Sequence, residues 1–294
     1  MRWTELTIQT SYLAAEAVGA IMQDAAGGFT IRNTSQGVIL RAWLPGDESL
    51  NPQIDALRER FASLPAELLE DGLPTIELSW VDEENWAESW KSHWRAVRLG
   101  RRIVVKPSWQ PWPPEDQPEA AHADDLIVEL DPGMAFGTGA HATTALCLAA
   151  LEDFVEPGMA IADLGCGSGI LTVAALKLGA KSVLSLDTDI LAVEATARNC
   201  EINSVTGCTV LQQEGLSDTH EQFDLIVGNI SQKIIKLEAP LAPERLKPGG
   251  IFITSGFYIG YEEDIVEALR GAGFEVVRTI ERDMWSCVIG RKNG

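Results

Sequence analysis

The residues best suited to bind a ligand lie in a glycine-rich turn, Gly165-Cys-Gly-Ser-Gly169, and at Asp187, which ends the next strand pattern. An apolar strand pattern leads into the turn and a helical pattern follows it. A ligand can therefore approach the backbone closely, beside the amide groups at the start of a helix. In a doubly wound sheet, the Asp187 carboxylate would lie beside the same turn and accept hydrogen bonds from two ribose hydroxyls. The two segments together predict a site for a ligand that contains a nucleoside.

The spacing of the glycines narrows the class of ligand. The dinucleotide fingerprint is G-x-G-x-x-G, whereas Ile170 stands here at the last glycine position. Asp163 precedes the first glycine, where a carboxylate suits a cationic ligand better than a pyrophosphate. This acid-flanked turn resembles the first motif of the S-adenosylmethionine-dependent methyltransferases. A nucleotide dehydrogenase and an ordinary strand–turn–helix corner remain as less favoured alternatives.

A second candidate segment is the loop Asp131-Pro-Gly-Met-Ala-Phe-Gly-Thr-Gly-Ala-His-Ala-Thr-Thr144, which leads into a helix pattern. Met134 and Phe136, among many small residues, favour a loop that folds over a ligand, although a flexible connector is the alternative. Thr143 or Thr144 could cap the helix. His141 is a candidate proton acceptor, but a lone histidine in a loop more often packs or caps.

Asn229 ends a third informative segment, the buried strand pattern Phe223–Asn229. Ligands bind at the carboxyl edge of such a sheet, so we expect Asn229 to face the glycine turn. Its side-chain amide is our candidate to hold a reacting amine or the ligand itself. The alternative is that Asn229 caps the helix that follows.

The order of the elements predicts two domains. Strand patterns alternate with helix patterns from Leu126 onward, at 126–130, 160–164, 182–187, 208–212, 223–229, 251–255, 274–280 and 285–290. Helices fit at 143–152, 189–202, 232–246 and 260–271, which favours a mainly parallel sheet with an antiparallel pair at one edge. The first eighty residues follow the order β-α-β-β-α-β of a ferredoxin-like domain. We predict boundaries at 1–81, a tryptophan-striped helical linker at 82–96, and 97–294.

Composition restricts the partners of the protein. The net charge of −20 repels nucleic acid and favours a cationic partner, so direct contact with RNA or DNA is disfavoured. Neither an export signal nor a membrane-length apolar run is visible, which favours a cytoplasmic protein without membrane contact. Five cysteines without a C-x-x-C pair and four scattered histidines predict reduced thiols and no metal site.

Four motifs, taken in order, resemble the PrmA family of ribosomal protein L11 methyltransferases. They are Glu84-Asn-Trp-Ala-Glu-Ser-Trp90, Asp131-Pro-Gly-Met-Ala-Phe-Gly-Thr-Gly139, Asp163-Leu-Gly-Cys-Gly-Ser-Gly-Ile-Leu171 and Met284-Trp285. The resemblance covers the whole chain, and the Ala-Phe-Gly-Thr-Gly loop is its most specific part. The sequence departs from the family pattern at Ala140 and Ala142, which flank His141.

The resemblance implies a fold, a reaction and a set of site residues. The fold would be α/β, with a doubly wound seven-stranded Rossmann-like methyltransferase sheet after a small α+β ferredoxin-like domain that recognises the substrate. The reaction would move methyl groups from S-adenosyl-L-methionine to lysine side chains or the N-terminal amine of basic ribosomal protein L11. The implied cofactor-binding residues are Phe136, Gly137, Thr144, Gly165, Gly167, Asp187 and Asn229. The alternatives are another protein or a small-molecule amine as substrate, and a non-catalytic binder that keeps the fold.

Overall fold

The computed structural model describes residues 3–26, 29–34, 37–46, 50–69, 72–81, 95–114, 117–131 and 141–293. The chain divides into two compact units, Met1–Trp94 and Arg95–Gly294. The helix predicted from the tryptophan pattern and the loop at 132–140 lie outside the described residues, apart from position 95 at the helix end. In the part of the chain that is described, no helix is long and apolar enough to cross a membrane.

The N-terminal unit is a four-stranded antiparallel sheet with two helices. Its elements are β1 (Trp3–Thr10), α1 (Ala15–Ala26), β2 (Thr30–Thr34), β3 (Gly37–Pro45), α2 (Leu50–Ala62) and β4 (Thr75–Val81). The strand order β2-β3-β1-β4 is that of the expected ferredoxin-like arrangement. Alternate residues of β1 and β3, including Leu6, Ile8 and Leu40, are buried against apolar residues of the helices, including Met22 and Phe61.

A three-stranded sheet begins the second unit. It consists of β5 (Val97–Arg98), β6 (Ile103–Pro107) and β7 (Leu126–Leu130), in the order β5-β6-β7. The sequence analysis missed β5 and β6, and it assigned 126–130 to the main alternation of strands and helices. The carboxylate of Glu152 fixes the β5–β6 turn, because it accepts hydrogen bonds from the backbone N–H groups of Arg101, Arg102 and Ile103 at 2.6–2.9 Å.

The main sheet has seven strands in the order β10-β9-β8-β11-β12-β14-β13. They are β8 (Ala160–Leu164), β9 (Ser182–Asp187), β10 (Cys208–Gln212), β11 (Phe223–Asn229), β12 (Leu246–Tyr258), β13 (Phe274–Arg282) and β14 (Trp285–Lys292). Strands β8 to β12 run parallel, and β14 pairs antiparallel with both β12 and β13. The central strands are mostly apolar, as expected for strands covered on both faces, although β8 contains Asp163 and β11 contains Asp224.

The helices of this unit differ from the expected ones at one place. They are α3 (Ala142–Phe154), α4 (Ile170–Lys177), α5 (Ile190–Ile202), α6 (Gln232–Glu238), α7 (Ala242–Arg245) and α8 (Glu262–Gly271). The single helix predicted at 232–246 is wrong, since Pro240 lies in the break between α6 and α7 and Pro243 stands in the first turn of α7. Residues 247–250, between the predicted helix and the predicted strand at 251–255, also differ from the expectation. These residues form a bulge within β12, where Leu246 pairs with Phe223 and Ile251 pairs with Leu225.

Candidate active site

The glycine turn after β8 requires glycine for two reasons. Gly165, Gly167 and Gly169 have φ values of 67°, 54° and 77°, in the left-handed region that other residues rarely adopt. A Cβ atom on Gly165 would lie 2.4 Å from the Ile230 side chain, and one on Gly169 would lie 2.9 Å from Thr196. The turn therefore folds tightly over its neighbours and leaves no side chain of its own at these positions to obstruct a ligand.

Asp187, at the end of β9, lies beside this turn as the sequence predicts. Its Oδ2 accepts a hydrogen bond from the backbone N–H of Gly167 at 3.0 Å. Its Oδ1 accepts one from the N–H of Asp189, also at 3.0 Å. An ionised carboxylate has about four acceptor positions, so two ribose hydroxyls can still bond to it. The half-buried side chain thus holds the turn and retains capacity for a ligand.

Asn229 reaches the same edge of the sheet from β11. Gly228 pairs with Leu164 of β8, which brings Asn229 next to the turn that begins at Gly165. The Asn229 side-chain nitrogen Nδ2 donates a long hydrogen bond of 3.4 Å to Oγ1 of Thr144, in the first turn of α3. Thr144 is buried, so this contact connects α3 to the carboxyl edge of the sheet.

The alternative role of Asn229, capping the next helix, is not what the structure shows. The N-cap of α6 is Ser231, and no side chain bonds the first turn there. The expected threonine cap of α3 is wrong as well. His141 is the N-cap, and its ring accepts a hydrogen bond from the N–H of Thr143.

His141 makes two contacts through the same ring nitrogen. Nδ1 lies 3.4 Å from the backbone nitrogen of Thr143 and 2.7 Å from the hydroxyl of that residue. Burial lowers the pKa of the imidazole, which favours its neutral form. Because Nδ1 acts as an acceptor, the neutral ring carries its proton on Nε2. This arrangement supports the capping role, and proton acceptance by His141 stays a prediction.

Two aromatic side chains continue the site from His141. The rings of His141 and Trp285 meet edge to face, with centroids 4.4 Å apart. Trp285 stacks on Tyr258 at 3.9 Å, across the paired strands β12 and β14. Tyr258 was missed by the sequence analysis, because its contact with a residue 27 positions away depends on strand pairing that no local pattern reveals.

A buried carboxylate lies directly before the glycine turn. Asp163 is 1 % exposed, and its Oδ2 accepts a hydrogen bond of 2.6 Å from the Thr172 hydroxyl. Its Oδ1 is buried and has no hydrogen-bond partner among the described residues. Burial raises the pKa of Asp163 to about 6; hydrogen bonds from Thr172 oppose this shift and the charge of Asp187 adds to it. Above that pH, Asp163 and Asp187 both place negative charge next to the turn.

Two residues of α5 that the sequence analysis missed fix the position of the turn. Asn199 is buried; its Nδ2 donates to the carbonyl of Ser168 at 2.8 Å, and its Oδ1 accepts from the N–H of Asp131 at 2.9 Å. The Thr196 hydroxyl donates to the carbonyl of Gly167 at 3.1 Å. Polar residues three positions apart share a helix face, and this spacing was the available signal. Asn199 therefore connects the glycine turn to the start of the loop at 131–144.

Three possible metal ligands, His122, Asp124 and Asp125, have ligand atoms within 4.8 Å of one another. Asp125 is already engaged: Arg98 donates to both carboxylate oxygens and the Trp112 ring nitrogen to one of them. The guanidinium of Arg98 holds the pKa of Asp125 well below its usual range. His122 and Asp124 are exposed, and the trio lies in the segment before β7, away from the elements that carry the site residues above.

The strand order, the glycine turn, the acid at the end of β9 and the asparagine at the end of β11 define the chain as a Rossmann-like methyltransferase. The family model described as ribosomal protein L11 methyltransferase (PrmA) matches residues 2–293, and the chain belongs to this family. The resemblance expected from the motifs is confirmed.

Relatives and a solved structure agree with this assignment. The chain is 36% identical to the ribosomal protein L11 methyltransferase of Geobacillus kaustophilus, over 99% of this chain and 100% of that protein. The protein of the same name from Bacillus subtilis matches with the same identity and coverage. The crystal structure of a ribosomal protein L11 methylase from Lactobacillus delbrueckii subsp. bulgaricus superposes with a TM-score of 0.63 at 31% identity. The superposition covers 68% of this chain and 100% of the Lactobacillus chain.

Of the predicted site residues, Thr144, Gly165, Gly167, Asp187 and Asn229 come together at one edge of the sheet, with His141 at the start of α3. Phe136 and Gly137 lie outside the described residues. The binding and catalytic roles of all these residues stay predictions.

Proposed function

We propose that this protein transfers methyl groups from S-adenosylmethionine to amine nitrogens of ribosomal protein L11, on lysine side chains or the N-terminal amine. The observation that carries the proposal is the meeting of Gly165, Asp187 and Asn229 at the carboxyl edge of the sheet, in a chain of this family. Ligands of doubly wound sheets bind at this edge.

The residues at the edge fit a cationic nucleoside. The left-handed glycines leave the turn open to close approach, and the Asp187 carboxylate has acceptor positions for ribose hydroxyls. Asp163, with one buried oxygen that lacks a partner among the described residues, adds negative charge beside the turn. S-adenosylmethionine, when bound, supplies a methyl group activated by its sulfonium.

Asn229 is the residue that we assign to positioning the amine. Its Nδ2 is directed toward Thr144, which orients Oδ1 as an acceptor for an N–H of the amine. A protonated amine has no lone pair, so the amine must lose a proton before it attacks. Removal from water lowers the pKa of an amine, and a partly buried site at Asn229 promotes that loss. Positioning and desolvation are thus the main contributions of the protein.

His141 has a positioning role in this proposal. Its Nδ1 accepts a hydrogen bond from the N–H of Thr143, and the next residue, Thr144, accepts one from Asn229. The ring also contacts Trp285 and so connects α3 to β14. Proton acceptance by His141 is the less favoured alternative, since the neutral tautomer presents a donor at Nε2.

The N-terminal unit is our candidate for recognition of the ribosomal protein. It has its own apolar core, and none of the site residues identified above lies in it. The net charge of −20 would speed encounter with a basic substrate in the cytoplasm, an effect that salt screens. A chain that begins at Arg95 should keep cofactor binding, lose most activity on intact L11 and retain weak activity on short lysine peptides.

Two alternatives have distinct outcomes in one experiment. Isotopically labelled S-adenosylmethionine is incubated with the protein and with purified L11, an unrelated basic protein or small amines. Label on L11 alone supports the proposal. Label on another substrate alone supports a different methyltransferase, and tight cofactor binding without label on any of them supports a non-catalytic binder.

A further inference from the structure

Three exposed apolar side chains form a ridge, here called the apolar rim: Ile259, Tyr261 and Met284. They are 39%, 47% and 64% exposed. Ile259 and Tyr261 follow β12, whereas Met284 lies in the hairpin between β13 and β14. The N–H of Ile259 donates to the carbonyl of Met284 at 2.9 Å, so the two segments are adjacent.

The apolar rim borders the candidate active site. Tyr258 and Trp285 immediately precede and follow its members in the chain, and they pair across β12 and β14. The same Trp285 ring contacts His141, the cap of the helix that carries Thr144. Since β11 and β12 run parallel, their carboxyl ends share one edge, and Asn229 lies at that edge. The rim is therefore at the border of the site, next in the chain to the stacked rings of Tyr258 and Trp285.

The conformation of Met284 is costly for its residue type. Asp283 and Met284 have φ values of 49° and 69°, at the tip of a hairpin whose closing pair is Arg282 and Trp285. A two-residue turn with two positive φ values strongly prefers Asn or Gly, because a Cβ atom is disfavoured there. Strained backbone often accompanies function. A long apolar side chain that is largely exposed and stands on a strained backbone has little role in packing, which points to an external partner.

The rim is rigid and lies in acidic surroundings. The Glu262 carboxylate accepts hydrogen bonds from the N–H of Gly260 and the hydroxyl of Ser286, so it fixes the turn after β12 to the start of β14. The segment from Ile259 to Asp264 contains three carboxylates and no basic residue. Lys236 pairs with Asp264 and Arg282 pairs with Asp283, so Glu262 and Glu263 remain as the excess negative charge beside the rim. This combination favours a partner segment that carries both apolar and basic side chains.

We infer that the apolar rim binds the basic, lysine-bearing segment of the substrate protein at the border of the site, while Asn229 orients the amine. This inference rests on the proposed function. The occupant is the substrate rather than a second copy of this chain, because the acidic surroundings would repel an equally acidic copy.

The test compares Met284→Gly and the double variant Ile259→Ser/Met284→Gly with the wild type. Glycine relieves the left-handed strain, so Met284→Gly should melt at the wild-type temperature or higher. Leu211→Ser is the control, since Leu211 is 42% exposed on β10, at the opposite edge of the sheet. We expect the KM for intact L11 to rise at least about fivefold in the double variant. Its kcat and cofactor Kd, and all constants of the control, should change less than about twofold.

A KM for the double variant within about twofold of the wild-type value would overturn the inference. If the wild type methylates no L11, the proposed function fails. Calorimetry of L11 binding then tests independently whether the rim binds L11. Weaker binding of L11 by the double variant than by the wild type supports the inference; equal binding or none overturns it. A dimer that the double variant dissociates would assign the rim to a second copy, which also overturns the inference.

Discussion

The carboxylate of Asp187 and the backbone N–H of Gly167 meet at 3.0 Å, although the two residues are 20 positions apart in the chain. This hydrogen bond joins the end of β9 to the turn after β8. The same carboxylate is our candidate ligand for the ribose hydroxyls, so on this proposal one side chain would both shape the turn and bind the cofactor.

Replacing Asp187 with alanine should weaken cofactor binding at least about tenfold, because each lost charge-assisted hydrogen bond contributes about 1.5–3 kcal/mol. Isothermal titration calorimetry with S-adenosylmethionine measures the change, and circular dichroism checks the fold. Asp218→Ala, which removes an exposed carboxylate beyond β10, is the matched control and should bind normally. An unchanged Kd for Asp187→Ala would remove this residue from the site.

Replacing Asn229 with alanine should separate catalysis from binding. We expect turnover on L11 to fall much more than cofactor affinity, because in the proposed mechanism the amide orients the attacking amine. Thr144→Val removes the acceptor that holds the Asn229 Nδ2, and it should give a smaller loss in the same direction. Steady-state kinetics and calorimetry on each variant test this. Equal losses in turnover and affinity would mean that Asn229 only binds cofactor.

Asn199 and Asn203 offer a matched pair for testing the support of the glycine turn. Asn199 bonds Ser168 in the glycine turn and Asp131 after β7. Of the glycine turn, β7 and Asp131, Asn203 bonds only β7, through the N–H and carbonyl of Glu129. Each alanine variant should lose about 1–3 kcal/mol of stability, because buried or partly buried backbone groups lose their partners. Only Asn199→Ala should also weaken cofactor binding. Thermal melting and calorimetry test this, and equal cofactor affinities in both variants would contradict it.

The raised pKa of Asp163 predicts a pH-dependent stability. A carboxyl whose pKa rises from 3.8 unfolded to about 6 folded stabilises the protein at low pH, and this contribution is lost as pH rises through 6. The total loss is on the order of 3 kcal/mol. Asp163→Asn keeps an acceptor for Thr172 but cannot ionise. Its stability relative to the wild type should therefore increase between about pH 4 and pH 7. Denaturant melts across this range measure the difference, and a constant difference would show that Asp163 does not titrate this way.

The sequence predicted what local patterns determine. One continuous segment predicted the strand, the glycine turn and the helix around Gly165, and the next strand pattern placed Asp187 at its end. The alternation of strand and helix patterns predicted the sheet. The pairing of Tyr258 with Trp285 and the bridge made by Asn199 depend on contacts between distant segments. Such contacts exist only after the sheet has formed. The spacing of Thr196 and Asn199 indicates a shared polar helix face but not which segments that face contacts. The strand Ile103–Pro107 was missed because it is short and leads into a proline-rich segment.

Mass spectrometry of purified ribosomal protein L11, after incubation with this protein and isotopically labelled S-adenosylmethionine, tests the central claim most directly. We predict mass increases of whole methyl groups on amine nitrogens of L11, and their loss when Asn229→Ala replaces the wild type. The Bacillus subtilis relative of the same family, assayed on the same L11, serves as a check on the substrate. Unmodified L11, with wild-type protein that binds the cofactor and a relative that does modify it, would contradict the proposed function.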